Sequence, residues 1–273
     1  MGALLRYPGF KYKAVTFSYD DGTIHDIRLA DTMAQYGAKG TFNINSARIG
    51  APGRITEDDI KNLILGRGME LACHGERHLS LARVDSAVAM NDVIKDRNAL
   101  EERFGIIIKG MAYANGSLND DVVTMLRLAG IEHSRTTVPT LSLDICKDWL
   151  RMNPTCHHDH PKLMELAHAL IDEPLHPYYW RNNARLLYVW GHSFEFNNKD
   201  NWHVIEELLQ YVGGRDDVWY CTVGEVHEYV TAFDRLRFSA SGELVHNPSC
   251  IDVYLHYFGK DVVVKAGATA SLV

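Results

Sequence analysis

The sequence predicts an α/β protein built on a parallel sheet, and three observations carry that prediction. Apolar runs of strand length alternate with stretches of helical periodicity, about seven times between residues 14 and 233. Repeated strand–helix units imply parallel strands, in a sheet either open or closed into a barrel, and a count near seven fits a barrel better than a small open sheet. Residues able to do chemistry fall just past the predicted strands, where such folds gather their active sites.

In order, the first strand spans 14–18 and leads into a helix over 26–36, which Gly37 stops. A strand over 39–45 follows, then a helix over 57–65 with Thr56 as its N-cap. The next strand is 69–73, and a long helix over 86–104 is closed by Gly105. Strands over 106–113 and 131–136 flank a helix over 120–129. Residues 138–161 are less regular and contain Pro154 and the run Cys156-His157-His158-Asp159-His160. A helix over 162–171, an apolar strand over 186–191, a helix over 204–211, a strand over 218–223 and a helix over 226–233 complete the series. From residue 236 the pattern changes to short strands at 237–239, 243–246, 251–258, 262–265 and 270–273, punctuated by Gly242, Asn247-Pro248, Gly259 and Gly267. Residues 236–273 are read as a small β appendage packed on a unit formed by residues 1–235, since chains below about 40 residues rarely fold alone.

The 273-residue chain is 46% hydrophobic and 23% charged, and its net charge of −7 argues against a nucleic-acid partner. No run approaches the roughly 18 apolar residues of a membrane span, and the start shows no signal peptide, so a cytoplasmic location is expected, with a truncated secreted form left open. The five cysteines, an odd number without a Cys-x-x-Cys pair, read as reduced and mostly buried thiols. Oligomeric state is not legible.

Two stretches hold the chemistry. Thr16-Phe17-Ser18-Tyr19-Asp20-Asp21-Gly22 puts two adjacent carboxylates at a strand end, and His74-Gly75-Glu76-Arg77-His78 puts two histidines four apart at another. One aspartate can complete a His2Asp metal site while the other stays free as a base, which is the inventory of a metal-assisted hydrolase. The donors suit Zn2+ first, then Co2+, Ni2+ or Fe2+. Alone, Asp-Asp-Gly is more often a turn and His-x-x-x-His a surface pair; their combination at strand ends is what points to metal.

These segments resemble the motifs of the polysaccharide deacetylases, the NodB-homology family or carbohydrate esterase family four. The first is similar to T-F-D-D-G with Ser18-Tyr19 inserted, and the second to H-(S/T)-x-x-H with Gly75 in the Ser/Thr place. The resemblance, over roughly residues 10–230, implies a distorted (β/α)7–8 barrel and removal of acetyl groups from N- or O-acetylated sugars. It implies Asp20 as base, Asp21, His74 and His78 as metal ligands, and His192, in Val189-Trp190-Gly191-His192, as general acid. Asn115 would offer an oxyanion-binding N–H, Tyr113 lies in the same substrate-side segment, and Trp149, in Asp148-Trp149, would wall the site. The family's R-P-P-Y-G segment is poorly matched by 111–116, where Ala112 stands at the Arg place, so another cation is expected to brace Asp20: Arg151 first, Arg135 second.

Other readings compete. Gly191-His192-Ser193-Phe194-Glu195 departs from a serine-nucleophile elbow at its fifth position. The 156–160 cluster reads as a polar loop on the cleft rim, because adjacent histidines diverge and no partner ligand is evident. Tyr178-Tyr179-Trp180 could stack on a sugar or simply pack. A non-catalytic carbohydrate-binding protein and a hydrolase of small non-sugar amides remain the rival functions.

Overall fold

The computed structural model describes residues 2–178 and 181–273, so Tyr179 and Trp180 of the aromatic triplet lie outside the described residues. Three strand segments at the amino end set the frame: β1 (Leu4–Arg6), β2 (Lys13–Asp20) and, after helix α1 (Asp26–Gln35), β3 (Gly40–Ile44). β2 is buried along its whole length, as a central parallel strand covered on both faces must be, although Lys13, Thr16, Ser18 and Asp20 interrupt its apolar residues.

The helix predicted over 57–65 is less regular than its periodicity implies. It begins as an α-turn, α2 (Glu57–Asp59), capped by Thr56, whose side chain accepts from the Asp59 N–H in a capping box. It then widens to π-type turns over Ile60–Ile64 before Gly68 closes it in the left-handed conformation. β4 (Glu70–Cys73) leads to α3 (Ser86–Phe104), whose predicted bounds hold, followed by β5 (Gly110–Ala112), α4 (Asp120–Leu128) and β6 (His133–Arg135). The sequence pattern missed β7 (Cys156–His157), two residues in the irregular segment. α5 (Leu163–Asp172), β8 (Arg185–Gly191), α6 (Ser193–Asn198), α7 (His203–Val212), β9 (Val218–Tyr220) and α8 (Val223–Asp234) follow.

The parallel strands run in the order β6-β5-β4-β3-β2-β8-β7. β8 lies along one side of β2, from Lys13↔Arg185 to Tyr19↔Gly191. The other side of β2 is shared by β9, against Lys13–Val15, and β3, against Phe17–Asp20. The sheet curls until its ends approach: Met152 bridges in parallel to Arg135 of β6, and four residues later Cys156 pairs with Val189 of β8. The irregular segment thus spans the gap in a distorted seven-stranded parallel barrel, the fold class expected. Its core runs from Val15, Phe17 and Phe42 through Leu71 and Met111 to Leu187 and Val189, with α-helices packed outside.

The carboxy-terminal strands are β10 (Arg237–Phe238), β11 (Leu244–His246), β12 (Val253–Tyr257), β13 (Lys260–Val264) and β14 (Thr269–Ser271). They form two small antiparallel sheets, β10-β11-β14 and β1-β12-β13, around Val245, Leu255, Val264 and Leu272. The edge strand β1 comes from the other end of the chain. Tyr229 of α8 ties this region to the barrel: its hydroxyl donates to the Arg6 carbonyl (2.7 Å) and accepts from the Tyr254 N–H (2.9 Å). All five cysteines are free thiols, and Cys73, Cys156 and Cys221 are buried. No helix among the described residues is long and apolar enough to cross a membrane.

Candidate active site at the barrel mouth

Adjacent parallel strands deliver their carboxy ends to one mouth, and Asp20, Asp21, His74, His78 and His192 meet there. Asp20 ends β2; Asp21 and Gly22 turn the chain away, both with positive φ (81° and 60°). His74 follows β4, and its N–H donates to Asp96 Oδ2 on α3 (2.9 Å). His78 takes φ 60°, a left-handed conformation uncommon outside glycine, and strain of that kind gathers at functional sites. Gly75, at the Ser/Thr place of the family motif, has φ 78°, and a Cβ on it would come within 2.7 Å of Asp92 Oδ2. That contact explains the departure: α3 packs too close for a side chain.

The donor atoms converge. Asp21 Oδ1 lies 3.8 Å from His74 Nε2 and 3.5 Å from His78 Nε2. Ligands about 2.0–2.1 Å from a tetrahedral ion sit roughly 3.3 Å apart, so a small contraction would close the triplet on a cation. His74 Nδ1 lies 2.9 Å from the Ala112 carbonyl, which can only accept; the proton is therefore on Nδ1 and the lone pair on Nε2. Burial pushes the His74 pKa down against the pull of Asp20 and Asp21, which keeps that lone pair available. Asp21 Oδ1 is buried and makes no hydrogen bond, as expected of a carboxylate oxygen waiting for a ligand. The residues present therefore fit a divalent ion.

Asp20 is arranged differently. Its Oδ1 accepts from Asn43 Nδ2 of β3 (2.8 Å), and its Oδ2 is in direct contact with Arg135 Nη2. Arg135 is fully buried, stands over the Trp190 ring at 4.2 Å and donates from Nε to Ser18 Oγ (3.2 Å). The bracing cation is thus the second candidate. Arg151, the first, instead contacts Asp120 and Asp148 (3.3 Å) on the surface. Burial alone would raise the Asp20 pKa, but Arg135, His74 and His192 hold it below the usual carboxylate value.

His192 sits between β8 and α6, its Nε2 4.0 Å from Asp20 Oδ2 and its Nδ1 3.4 Å from Glu195 Oε1. Burial lowers its pKa, but Glu195 and Asp20 outweigh that and leave it raised, so the ring is protonated further into the neutral range. Ser193 is no nucleophile here: it is buried, with Oγ 2.8 Å from Thr23 Oγ1. Asn115 follows β5 in a turn with φ 57°, on the mouth side, and its Nδ2 donates to Ser80 Oγ (3.0 Å).

Two expected substrate residues are not brought to the mouth. The Tyr113 ring is buried and its hydroxyl donates to the Leu150 carbonyl (2.7 Å). Trp149 precedes Met152, which runs parallel to β6, and therefore lies at the opposite, amino end of the barrel; its ring is 5.0 Å from that of His227. The 156–160 run also needs correction, because a carboxylate from another element faces it. Glu195 of α6 places Oε2 3.1 Å from His157 Nε2 and 3.0 Å from His158 Nε2. Neither Glu195 nor α6 stood out in the sequence; the only signal was the spacing of Glu195 three residues after His192, one helical turn on.

The resemblance to the polysaccharide deacetylases read from the motifs is borne out over the first half of the chain. Residues 8–134 match the family model described as polysaccharide deacetylase. No curated protein matches the chain. Among solved structures, the chain is similar to a Mycobacterium smegmatis protein assigned to the polysaccharide deacetylases, at 17% identity and TM-score 0.61, over 85% of this chain and 95% of that one. It is similar also to the CE4 domain of a multidomain xylanase from the hindgut metagenome of Trinervitermes trinervoides, at 15% identity and TM-score 0.54, over 81% and 92%. A mutant of a CE4 family pseudoenzyme from Bacillus anthracis with restored activity aligns at 15% identity and TM-score 0.50, over 81% and 69%. The chain spans 61% of a Streptococcus pyogenes deacetylase solved with acetate, at 19% identity and TM-score 0.46, over 50% of this chain. At these identities the structural likeness speaks for the fold.

Proposed function

We propose that this protein is a metal-dependent hydrolase that removes acetyl groups from N- or O-acetylated sugars or oligosaccharides. The observation that carries the reading is the division of labour at the mouth: a convergent Asp21–His74–His78 triplet beside a separately braced, buried Asp20. A binding protein has no need of a base held apart from the ligands.

A divalent cation, Zn2+ first, held by Asp21, His74 and His78 would polarise the acetyl carbonyl and lower the pKa of a water towards about 7. Asp20 takes a proton from the attacking water; Arg135 and Asn43 fix its carboxylate so that little reorganisation accompanies the transfer. The backbone N–H of Asn115, at the end of β5, is the oxyanion donor. His192 gives its proton to the departing amine or alcohol, and the pull of Glu195 and Asp20 keeps that proton available at neutral pH.

The test is acetate release from acetylated chito- and xylo-oligosaccharides by native protein, after chelation, and after return of Zn2+. Release that is lost and restored with the metal is expected. Loaded protein that binds these sugars without releasing acetate would favour the binding-only reading. Metal content separates the two carboxylates: His74→Ala should lose the ion, while Asp20→Asn should keep it and lose turnover.

A further inference from the structure

Beside the proposed active site, one strand further round the mouth, a second group of donors converges. His157, His158 and Asp159 at the end of β7 and Glu195 of α6 each offer one donor atom, and these four atoms lie within 4.8 Å of one another. The tightest separations are 3.0 and 3.1 Å, from Glu195 Oε2 to the two histidines, and His158 Nε2 stands 3.6 Å from Asp159 Oδ1. These lie near the roughly 3.3 Å edge of a tetrahedral site with bonds of about 2.0–2.2 Å.

Ion pairing accounts for one Asp159 oxygen, Oδ2, which Lys199 contacts, but not for the placement of His158. His158 is fully buried, stacked on Phe196 (4.1 Å) and Tyr19 (5.8 Å), with Gly191 pressed against it so closely that a Cβ there would meet Nδ1 at 2.0 Å. The ring cannot turn to find a partner. Neither of its nitrogens has a hydrogen-bond partner, and neither does Glu195 Oε2, although it lies 3.0 Å from Nε2. A buried imidazole aimed at an unpartnered carboxylate oxygen is a rare combination unless something sits between them. His157 is the adaptable member: its Nδ1 accepts from the Asp159 N–H at 3.2 Å, a contact it gives up when the proton moves to Nδ1 and Nε2 turns to coordination.

We propose that His157, His158, Asp159 and Glu195 form a second, structural divalent-metal site, of the closed two-nitrogen, two-oxygen kind that suits Zn2+. Its consequence is positional. Glu195 would touch the ion through Oε2 and face His192 Nδ1 through Oε1, at 3.4 Å, so the ion fixes α6 and with it the acid histidine. The site shares no ligand with the Asp21–His74–His78 triplet and does not depend on the reading of that triplet.

The experiment is a Zn2+ titration of the whole, chelator-stripped chain against a chromophoric competitor, with circular dichroism as the check on folding. Native protein should take up two equivalents. His157→Ala and Glu195→Gln should each take up one, with affinity at the lost site down at least tenfold. His74→Ala should likewise take up one, and His74→Ala with His157→Ala none. Uptake of a single equivalent that His74→Ala abolishes would overturn the second site while leaving the first. A single equivalent that survives His74→Ala but not His157→Ala would do the reverse. Two equivalents retained by both His157→Ala and Glu195→Gln would overturn the assignment of these ligands.

Discussion

Arg135→Met removes the cation from beside the Asp20 carboxylate. Both side chains are almost wholly buried, at 1% and 3% exposure, so solvent screening does not soften the loss. At an effective dielectric of about 20, unit charges about 4 Å apart attract by ~4 kcal/mol, and removing one member of a buried pair costs about 3–5 kcal/mol because the other is left unpaired. The Asn43 bond to Oδ1 remains but carries no charge. Arg135→Met should therefore destabilise the protein by about 3–5 kcal/mol in urea unfolding at pH 7, read in chelator so that metal binding does not enter. Asp20→Asn in the same background should recover most of that, and the double-mutant cycle should return a coupling of about 3 kcal/mol. In the loaded enzyme the same substitution lets the Asp20 pKa rise, so the acid limb of the pH–rate profile moves to higher pH. A loss below about 1 kcal/mol, or additivity in the cycle, would refute the claim that Arg135 is the brace.

Three further outcomes are expected. His192→Ala should slow hydrolysis of an N-acetyl sugar about 10²–10⁴-fold and an activated aryl acetate much less, since only the amine needs a proton to leave; equal small losses with metal content unchanged would return His192 to a structural role. Gly75→Ala places a methyl group against Asp92 at a left-handed position, and should cost about 1–3 kcal/mol in chemical unfolding; a neutral result would mean that α3 moves aside. Asp26 is buried, and burial, with Asp21 and Asp20 adding repulsion, raises its pKa from 3.8 to about 8; its contribution to stability is then whole below about pH 4 and is lost as pH rises towards 8, on the order of 5 kcal/mol at the limit, so Asp26→Asn should flatten the stability–pH curve across that window.

What the sequence disclosed follows from what is local. Strand β2, helices α1, α3 and α7, and the positions of Asp20, Asp21, His74, His78 and His192 are written in contiguous patterns, and their bounds come within a residue or two. Elements decided by distant partners did not show. β1 is three residues with no alternation and exists because β12 offers an edge. β7 is two residues in a polar run and exists because β8 passes beside it. The strand predicted over 218–223 stops at Tyr220 because Thr222 and Glu225 form the capping box of α8, a signal that was present in the sequence.

The site divides along the same line, and Arg135 makes the point most sharply. In the family motif the arginine would stand near residue 112, on β5; here β5 supplies Ala112, whose carbonyl holds His74, and the guanidinium comes from the end of β6. In a closed parallel barrel these are equivalent solutions, because neighbouring strands bring their last residues to the same mouth and any of them can cover Asp20. Linear order cannot choose between Arg151 and Arg135. The barrel can: the chain returns from Arg151 to Met152 alongside β6, which leaves Arg151 outside against Asp120 and Asp148 while Arg135 points inward over Trp190. The same reasoning applies to Glu195. Its sequence neighbourhood is unremarkable, but it lies on the first turn after β8, facing β7, and a carboxylate there meets whatever β7 delivers. A role passed between strands in this way is legible only once the register of the sheet is known.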